Sequence, residues 1–227
     1  MTDRARWAER ELAYRFSDPT LLERAVTHRS ASRDNNERLE FLGDAMLSVT
    51  IARVLYETRP EADEGTLSRA RAALVNKQTL AKVGRRLKLD EQLVLGSGEL
   101  RTGGAQRASA LADAVEAVIG AVVLDGGYAA GDELVRRLLA EPLAALPETH
   151  ALKDPKTRLQ EWLQARGLGL PGYCVDGVSG SDHNRVFAVS CRVDERSKIA
   201  QGTGSSRRRA EQAAAEAMLV ELQGGDG

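Results

Sequence analysis

The acidic segment from Asn36 to Asp44 is the feature that most constrains how this chain folds. In a helix, its carboxylates Glu37, Glu40 and Asp44 fall at i, i+3 and i+7 and lie along one side. Like charges at this spacing destabilise a helix by roughly a few tenths of a kcal/mol per pair, and a glycine such as Gly43 costs about 1 kcal/mol more than alanine. The adjoining side is apolar and is expected to face the core: Leu39, Leu42, Ala45, Met46 and Val49. Carboxylates grouped without thiols or imidazoles suit a hard divalent cation such as Mg²⁺ or Mn²⁺.

A second acidic pair lies in the stretch 111–120, where Asp113 and Glu116 are three residues apart in an otherwise apolar helix. Acidic side chains in such a helix require a partner, a metal ion or a water-filled cleft. The two acidic helices could face each other and supply ligands for one or two ions. A solvated acidic face on the first helix and a structural carboxylate network are the alternatives. We favour the metal site because it accounts for both acidic helices.

These segments resemble the ribonuclease III family, whose members are endonucleases of double-stranded RNA. The stretch 36–44 is similar to the family signature at every position. Further similarity covers 27–30, 64–69 and 111–120, and the C-terminal third described below. The resemblance therefore extends over nearly the whole chain and implies the fold and activity of that family.

The resemblance also implies roles for individual acidic residues. Three of them are expected to ligate metal: Glu40, Asp113 and Glu116. Asp44 and Glu116 are expected to be indispensable to catalysis, and Glu37 and Glu64 to lie at the rim, in contact with RNA or a second ion. Ala108 departs from the family pattern, which often has an acidic residue there. None of the proposed ligands is affected, so activity is expected to survive.

The composition fits two small domains in a reducing compartment. Of the 227 residues, 42% are hydrophobic and only 4% aromatic, so aliphatic helix packing is expected. A net charge of −1 excludes a uniformly basic surface, although charge can still be segregated locally. Cys174 and Cys191 show neither metal-ligand spacing nor a disulfide framework. Without a signal peptide or a membrane-length apolar run, the protein is expected to be cytoplasmic and to have no membrane partner.

Hydrophobic periodicity divides the chain into two domains of different class. The first carries only helical patterns, with 34–58 as its central helix and 108–124 as the second acidic helix. The glycine-rich stretch 96–104 is predicted to be a connecting loop near the cleft. The fold class is thus multidomain, an all-α endonuclease domain followed by a small α+β domain of order α-β-β-β-α. The predicted boundaries are 1–146 for the helical domain, 147–153 for a linker, 154–223 for the α+β domain and 224–227 for a disordered tail.

The closing helix of the second domain opens with three arginines, Arg207, Arg208 and Arg209. Cations in a first turn oppose the helix macrodipole, so this placement is unfavourable unless an anion binds. With Ser205, Ser206 and the free N–H groups of the turn, the arginines form a predicted phosphate cradle. A solvated basic turn is the alternative.

The element order and this arginine turn resemble the double-stranded-RNA-binding domain. By that resemblance, Gln160 and Glu161 on the first helix face one minor groove. His183 and Asn184, in the first hairpin loop, reach the next minor groove, and the arginine turn holds the phosphates between them. Such domains recognise A-form shape over about 16 base pairs with little sequence preference.

These features predict metal-dependent hydrolysis of double-stranded RNA. Two Mg²⁺ ions, for which Mn²⁺ can substitute, would neutralise charge on the attacking water and on the leaving 3′-oxygen. The family resemblance implies 5′-phosphate and 3′-hydroxyl ends and the processing of ribosomal and other RNA precursors, without indicating which transcripts are cut. One alternative is a duplex-RNA-binding module without catalysis, which predicts missing acids. Another is a carboxylate-bridged di-iron oxidoreductase, which needs Glu-x-x-His pairs that this sequence lacks.

A homodimer is also expected. Each chain carries one set of acids, which can host one displacement on one strand. The two backbones of a duplex are related by a local two-fold axis, and a C₂ dimer has a two-fold axis that can coincide with it. We expect an aliphatic dimer seam on the helical domain, in the N-terminal part of the central helix that includes Phe41.

Overall fold

The computed structural model describes residues 2–147, 154–181 and 184–224. They fall into two compact units, Met1–Pro147 and Glu148–Gly227, which we call the helical unit and the mixed unit. Most of the predicted linker and tail, and His183 of the predicted hairpin loop, lie outside the described residues. None of the described helices has both the length and the apolar character needed to cross a bilayer.

The described part of the helical unit is built from α-helices and two single turns of 3₁₀ helix, at Leu89–Glu91 and Gly104–Gln106. Side-chain caps define several helix starts, since Asp18, Asp63 and Asn76 each accept a hydrogen bond from a backbone N–H in the following turn. The α-helices are α1 (Asp3–Glu11), α2 (Pro19–Ala25), α3 (Glu37–Thr58), α4 (Glu64–Leu74), α5 (Lys77–Arg86), α6 (Ser97–Arg101), α7 (Ala108–Leu138) and α8 (Ala140–Ala144).

The structure corrects two of the predicted elements of this unit. The central helix begins at Glu37 and not at residue 34, because Asn36 is its N-cap residue. The prediction of a plain loop over 96–104 is wrong, since this stretch contains α6 and the start of a 3₁₀ turn. The second acidic helix, predicted over 108–124, forms the first part of α7, which breaks at Gly127, whose φ of 81° is left-handed and suits glycine.

The helices α3 and α7 approach each other backbone to backbone. A Cβ atom added to Gly43 would lie 1.7 Å from the carbonyl oxygen of Glu116, and one added to Gly120 would lie 2.1 Å from the carbonyl oxygen of Leu39. Glycine at both positions is therefore required for this contact. The core beside it is aliphatic, as expected from the sequence, and includes the fully buried Leu47, Ile51, Leu55, Leu111 and Ile119.

The mixed unit has the predicted order, with a three-stranded antiparallel sheet in the order β1-β2-β3 and two helices. The bulge of β1 falls between Val175 and Gly177, and there the hydroxyl of Ser190 donates to Asp176 over 3.0 Å. The elements are α9 (Pro155–Gln164), β1 (Gly172–Ser179), β2 (Val186–Val193), β3 (Lys198–Gly204) and α10 (Arg207–Gly224).

The core of the mixed unit lies between the two helices and one face of the sheet. Its buried side chains come from both helices, β2 and β3: Leu159, Leu163, Val189, Cys191, Val193, Ala200, Ala210, Ala214, Ala215, Met218, Leu219 and Leu222. Gly202 of β3 allows α10 to approach closely, since a Cβ there would lie 2.1 Å from the backbone nitrogen of Ala214. The predicted fold class, an all-helical domain followed by a small α+β domain, is confirmed.

Candidate metal centre and RNA-binding surface

Three carboxylates of the helical unit meet where α3 touches α7. Glu40 of α3 and Asp113 and Glu116 of α7 each offer an oxygen within 4.8 Å of the other two. The glycine contact between these helices explains this proximity, since the carbonyl of Glu116 lies against Gly43 of α3. All three residues are half-buried, and all donors are carboxylate oxygens. A donor set of this kind fits a hard divalent cation.

The three carboxyl groups, which we call the acid cluster, are electrostatically frustrated when no cation is bound. Burial, followed by the negative charges of Asp44, Glu40 and Asp113, raises the pKa of Glu116 to about 7. Burial likewise raises the pKa of Glu40, with Asp113 and Glu37 adding to the effect. Burial also raises the pKa of Asp113, against the opposing charge of Lys77. A divalent ion would relieve this mutual repulsion.

Two more acidic residues of α3 flank the acid cluster. Asp44 is exposed and lies one turn beyond Glu40, and among the surrounding charges it raises the pKa of Glu116 most. Glu37 is exposed one turn before Glu40 and pairs with Arg29, with 3.4 Å between guanidinium nitrogen and carboxylate oxygen. The structure thus brings both next to the acid cluster, although neither belongs to the group of three.

A cleft of about 610 Å³ opens onto the acid cluster, and both Glu40 and Asp113 line it. Its wall includes the 28–30 segment, which a single β-bridge between Thr27 and Val94 holds in place. Along with these acids, the cleft contains the basic side chains of His28, Arg29, Lys77 and Arg107. Its mixture of carboxylates and cations is suited to an ion-assisted reaction on an anionic substrate.

Glu64 and Ala108 do not belong to the acid cluster. Glu64 is the exposed first residue of α4, where it accepts a hydrogen bond from the Ser68 hydroxyl over 2.7 Å. It is not among the residues that line the cleft. Ala108 is the first residue of α7, directly before Ser109 and Ala110, which do line the cleft.

In the mixed unit, the three arginines occupy the first turn of α10 and are exposed. Ser206 accepts a hydrogen bond from the backbone N–H of Arg209 over 3.3 Å, and the Arg209 guanidinium donates to the Ser205 hydroxyl over 3.0 Å. Arg207 pairs with Glu211 at 2.9 Å. The serines therefore order the turn, and the arginine side chains extend toward solvent.

The other predicted RNA-binding residues that the structure describes lie on α9 and just before β2. Gln160 is exposed and Glu161 half-buried on α9. Asn184 is exposed and lines a groove of about 570 Å³ together with Ser205. The structure therefore places residues from two of the predicted contact regions along one groove.

Comparison with known proteins agrees with this architecture. The Ribonuclease-III-like family model matches residues 18–143, and the double-stranded RNA binding motif matches residues 155–222. Ribonuclease 3 of Alkalilimnicola ehrlichii is 53% identical over 93% of this chain and 93% of its own length, and that of Nitrosococcus oceani is 52% identical over 98% and 96%. The chain belongs to the ribonuclease III family.

Solved structures of the ribonuclease III nuclease domain from Campylobacter jejuni resemble the helical part of the chain. One aligns with a TM-score of 0.61 and 37% identity over 64% of this chain and all of that domain. A second, described as flexible in a region involved in dimer formation, aligns with a TM-score of 0.58 and 40% identity over 60% of this chain and 95% of that chain. The prediction of a ribonuclease III-type endoribonuclease is confirmed, and it displaces both alternatives, the inactive binding module and the di-iron oxidoreductase.

The cations of the cleft in this ribonuclease III fold were not predicted from the sequence. Arg29, Lys77 and Arg107 are far apart in sequence and come from a loop, the start of α5 and the residue before α7. Only tertiary packing brings them to the acids, so no local spacing in the sequence could have identified them. Of the three, only Arg29 could have been suspected from the sequence, because it lies inside the 27–30 stretch that resembles the family.

Proposed function

We propose that this ribonuclease III cleaves double-stranded RNA with Mg²⁺ held by Glu40, Asp113 and Glu116, and that Mn²⁺ can substitute. Divalent-metal dependence follows from the family. The observation that carries the residue assignment is the acid cluster, in which three half-buried carboxylates lie within 4.8 Å of one another. Its all-oxygen donors fit Mg²⁺, which takes carboxylate and water ligands.

The surrounding residues divide the remaining tasks. When bound, the ions neutralise charge on the phosphoryl oxygens and activate a water molecule for in-line attack. The pKa of Glu116 is about 7 without a cation. Because this side chain must be ionised to ligate metal, metal binding should depend on pH. Asp44 is exposed beside Glu116, and we assign it the positioning of the attacking water. Glu37 and Glu64 are proposed to contact RNA or a second ion from the rim.

Attack by water with departure of the 3′-oxygen leaves a 5′-phosphate and a 3′-hydroxyl. We infer that the substrates include ribosomal, messenger and transfer RNA precursors with duplex segments, and that the enzyme acts in the cytoplasm. The mixed unit is proposed to hold the duplex through three groups of residues. They are Gln160 and Glu161, then His183 and Asn184, and finally Ser205 to Arg209, in keeping with its match to the double-stranded RNA binding motif.

We further propose that the helical units form an isologous homodimer. Phe41 is 80% exposed on α3, and Leu124 is 58% exposed on α7. Both line a groove of about 880 Å³ together with Leu39 and Leu42, and charged side chains border these apolar residues. Replacing Phe41 by arginine should convert the dimer to monomers in sedimentation at micromolar concentration. A wild-type protein that sediments as a monomer yet cuts both strands together would contradict this arrangement.

The experiment that tests the proposed function is cleavage of a long RNA duplex in the presence of Mg²⁺, Mn²⁺ or a chelator. Cleavage should occur with either ion and stop with the chelator, and a 5′-end assay should find phosphate on every product. A single-stranded RNA of equal length is the matched control and should remain intact. Equal cleavage of both RNAs, or cleavage in excess chelator, would contradict the proposal.

A further inference from the structure

The basic side chains in the cleft differ in whether another described residue already engages them. Arg29 pairs with Glu37 at 3.4 Å, and Arg107 pairs with Glu99 at 2.8 Å. His28 is bonded locally, with its Nδ1 atom 2.8 Å from the Ser30 hydroxyl. The Lys77 side chain is exposed at the cleft and makes no ion pair or hydrogen bond with the part of the chain that the structure describes. Its ammonium group is therefore available to a ligand.

The position of Lys77 is also unfavourable in the absence of an anion. Lys77 is the first residue of α5, directly after the N-cap Asn76, so its charge opposes the positive end of the helix dipole. It acts electrostatically on the acid cluster, lowering the pKa of both Asp113 and Glu116 against the effect of burial. It therefore lies close to the reaction centre without being held there by a partner.

The charge balance of the cleft indicates which ligand this cation meets. Five carboxylates surround the site, namely Glu37, Glu40, Asp44, Asp113 and Glu116. Glu37 and a further acid of the cleft, Glu99, are already paired with Arg29 and Arg107. Ions bound to the acid cluster would neutralise its three carboxylates and repel the Lys77 ammonium, so the phosphate of the substrate is the anion left for it to approach.

We propose that Lys77 binds a phosphate of the RNA strand that is being cut, next to the acid cluster. This inference rests on the proposed function, and it adds a substrate contact in the helical unit to those assigned to the mixed unit. A lysine ammonium is a compact, hydrated charge that suits a single phosphate oxygen. The contact forms before the reaction and persists through it, so it strengthens substrate binding more than it accelerates the chemical step.

Two effects of opposite direction follow for Lys77→Gln. The variant can no longer pair with the RNA phosphate, so KM for duplex RNA should rise roughly fivefold while kcat stays within about twofold. The slope of log(1/KM) against the logarithm of the salt concentration should become shallower by about one unit. It also lacks a cation that repels metal ions, so Mg²⁺ should bind roughly two- to threefold tighter. A residue that merely kept the acids in place would show weaker Mg²⁺ binding.

The test uses the full chain, with steady-state kinetics at several salt concentrations and calorimetric titration of Mg²⁺ in the absence of RNA. Lys77→Arg keeps the charge and should stay close to the wild type in KM. Lys82→Gln removes an exposed lysine from the same helix, outside the cleft, and is the matched control. Circular dichroism verifies that each variant is folded.

A KM and salt slope for Lys77→Gln that match those of Lys82→Gln would overturn the inference, as would a loss of Mg²⁺ affinity. Glu116→Gln is measured in parallel, because it tests the proposed function. If Glu116→Gln abolishes cleavage while Lys77→Gln behaves like the wild type, the lysine contact alone is wrong. If Glu116→Gln cleaves normally, the metal assignment itself is wrong.

Discussion

The two units of this ribonuclease III use clustered charge in opposite ways. In the helical unit, half-buried carboxylates from two helices converge within 4.8 Å and repel one another. In the mixed unit, three arginines follow one another in the first turn of a single helix and remain exposed. The first arrangement favours entry of a small, strongly charged cation, and the second favours a large, hydrated polyanion.

The difference extends to what holds each charge in place. The carboxylates depend on a main-chain contact between α3 and α7 that only glycine permits at Gly43 and Gly120. The arginines are exposed in a single turn, where local contacts engage Arg207 with Glu211 and Arg209 with Ser205. Phosphoryl transfer needs fixed positions, whereas binding to the regular backbone of a duplex tolerates adjustment. Precision is therefore concentrated in the helical unit.

The largest expected effect comes from breaking the acid cluster alone. Glu116→Gln keeps the side-chain shape and removes a metal ligand. Cleavage should fall by more than about 100-fold, because even groups that only orient a ligand contribute about 10- to 100-fold. Duplex binding measured by gel shift should change little, since the mixed unit carries the arginine turn. Glu133→Gln, at an exposed position of the same helix, is the control and should cleave normally. Equal loss of binding and cleavage would mean that the two charge clusters are not separable.

The second prediction concerns the glycine contact. In Gly43→Ala the new Cβ would lie 1.7 Å from the carbonyl oxygen of Glu116, so α3 and α7 must move apart. We expect the free energy of unfolding in urea to fall by about 2–3 kcal/mol, and cleavage to fall with it. Gly98→Ala, where nothing lies within 4 Å of the new Cβ, should be neutral or slightly stabilising. Unchanged stability in Gly43→Ala would show that the contact is not the constraint we describe.

The third prediction tests the exposed arginine turn of the mixed unit. Replacing Arg207, Arg208 and Arg209 by alanine should weaken duplex binding by about 10-fold or more, and it should reduce the salt dependence by roughly one unit of slope for each phosphate that is no longer neutralised. Fluorescence titration at several salt concentrations measures both. Arg192→Ala, at an exposed position on β2, should leave the slope unchanged. A triple variant with the wild-type slope would place the phosphate-binding residues elsewhere.

The smallest effect is a pH dependence that only the acid cluster should show. The pKa of Glu116 is about 7 in the folded protein and has an ordinary value of 4.5 in the unfolded chain. The folded state therefore holds this proton more tightly, so its stabilising contribution is present below pH 4.5 and is lost as the pH rises to about 7. After allowance for solvent screening, the loss should be about 1–2 kcal/mol.

Urea unfolding between about pH 5 and pH 8 in a chelator measures this loss as the difference between the wild type and Glu116→Gln. Adding Mg²⁺ should stabilise the wild type most at the upper end, because the ion binds the ionised carboxylates. A difference that is flat with pH in the chelator would contradict the raised pKa.

Much of this organisation could be predicted from the sequence because its signals are local. Helical periodicity and the change of pattern between the two domains indicated the order of elements. The acid spacing suggested that the two acidic helices face each other, and the family resemblance implied that Glu40, Asp113 and Glu116 are the ligands. The stretch 96–104 was mispredicted because its glycines suggested a loop. In the structure this stretch contains the short helix α6, which has no buried residue, and a 3₁₀ turn that places Gly104 close against Glu99.

The parts that could not be predicted depend on long-range contacts. The sequence shows that Gly43 is costly in a helix but not that it touches the backbone of Glu116, more than seventy residues away. Nor does any spacing bring Lys77 or Arg107 to the acids. Glu64 was expected at the rim of the site on the basis of the family resemblance, and in the single chain it lies outside the cleft lining. Its role stays a prediction.

The glycine contact between α3 and α7 also has a consequence for protein engineering. Because the two main chains touch, the spacing between the ligand-bearing positions 40, 113 and 116 does not depend on which side chains occupy them. A designer can therefore exchange carboxylates for imidazoles or thiols and keep the backbone template intact. The same pair of helices would then serve as a scaffold for softer metals, with selectivity decided by the substituted side chains alone.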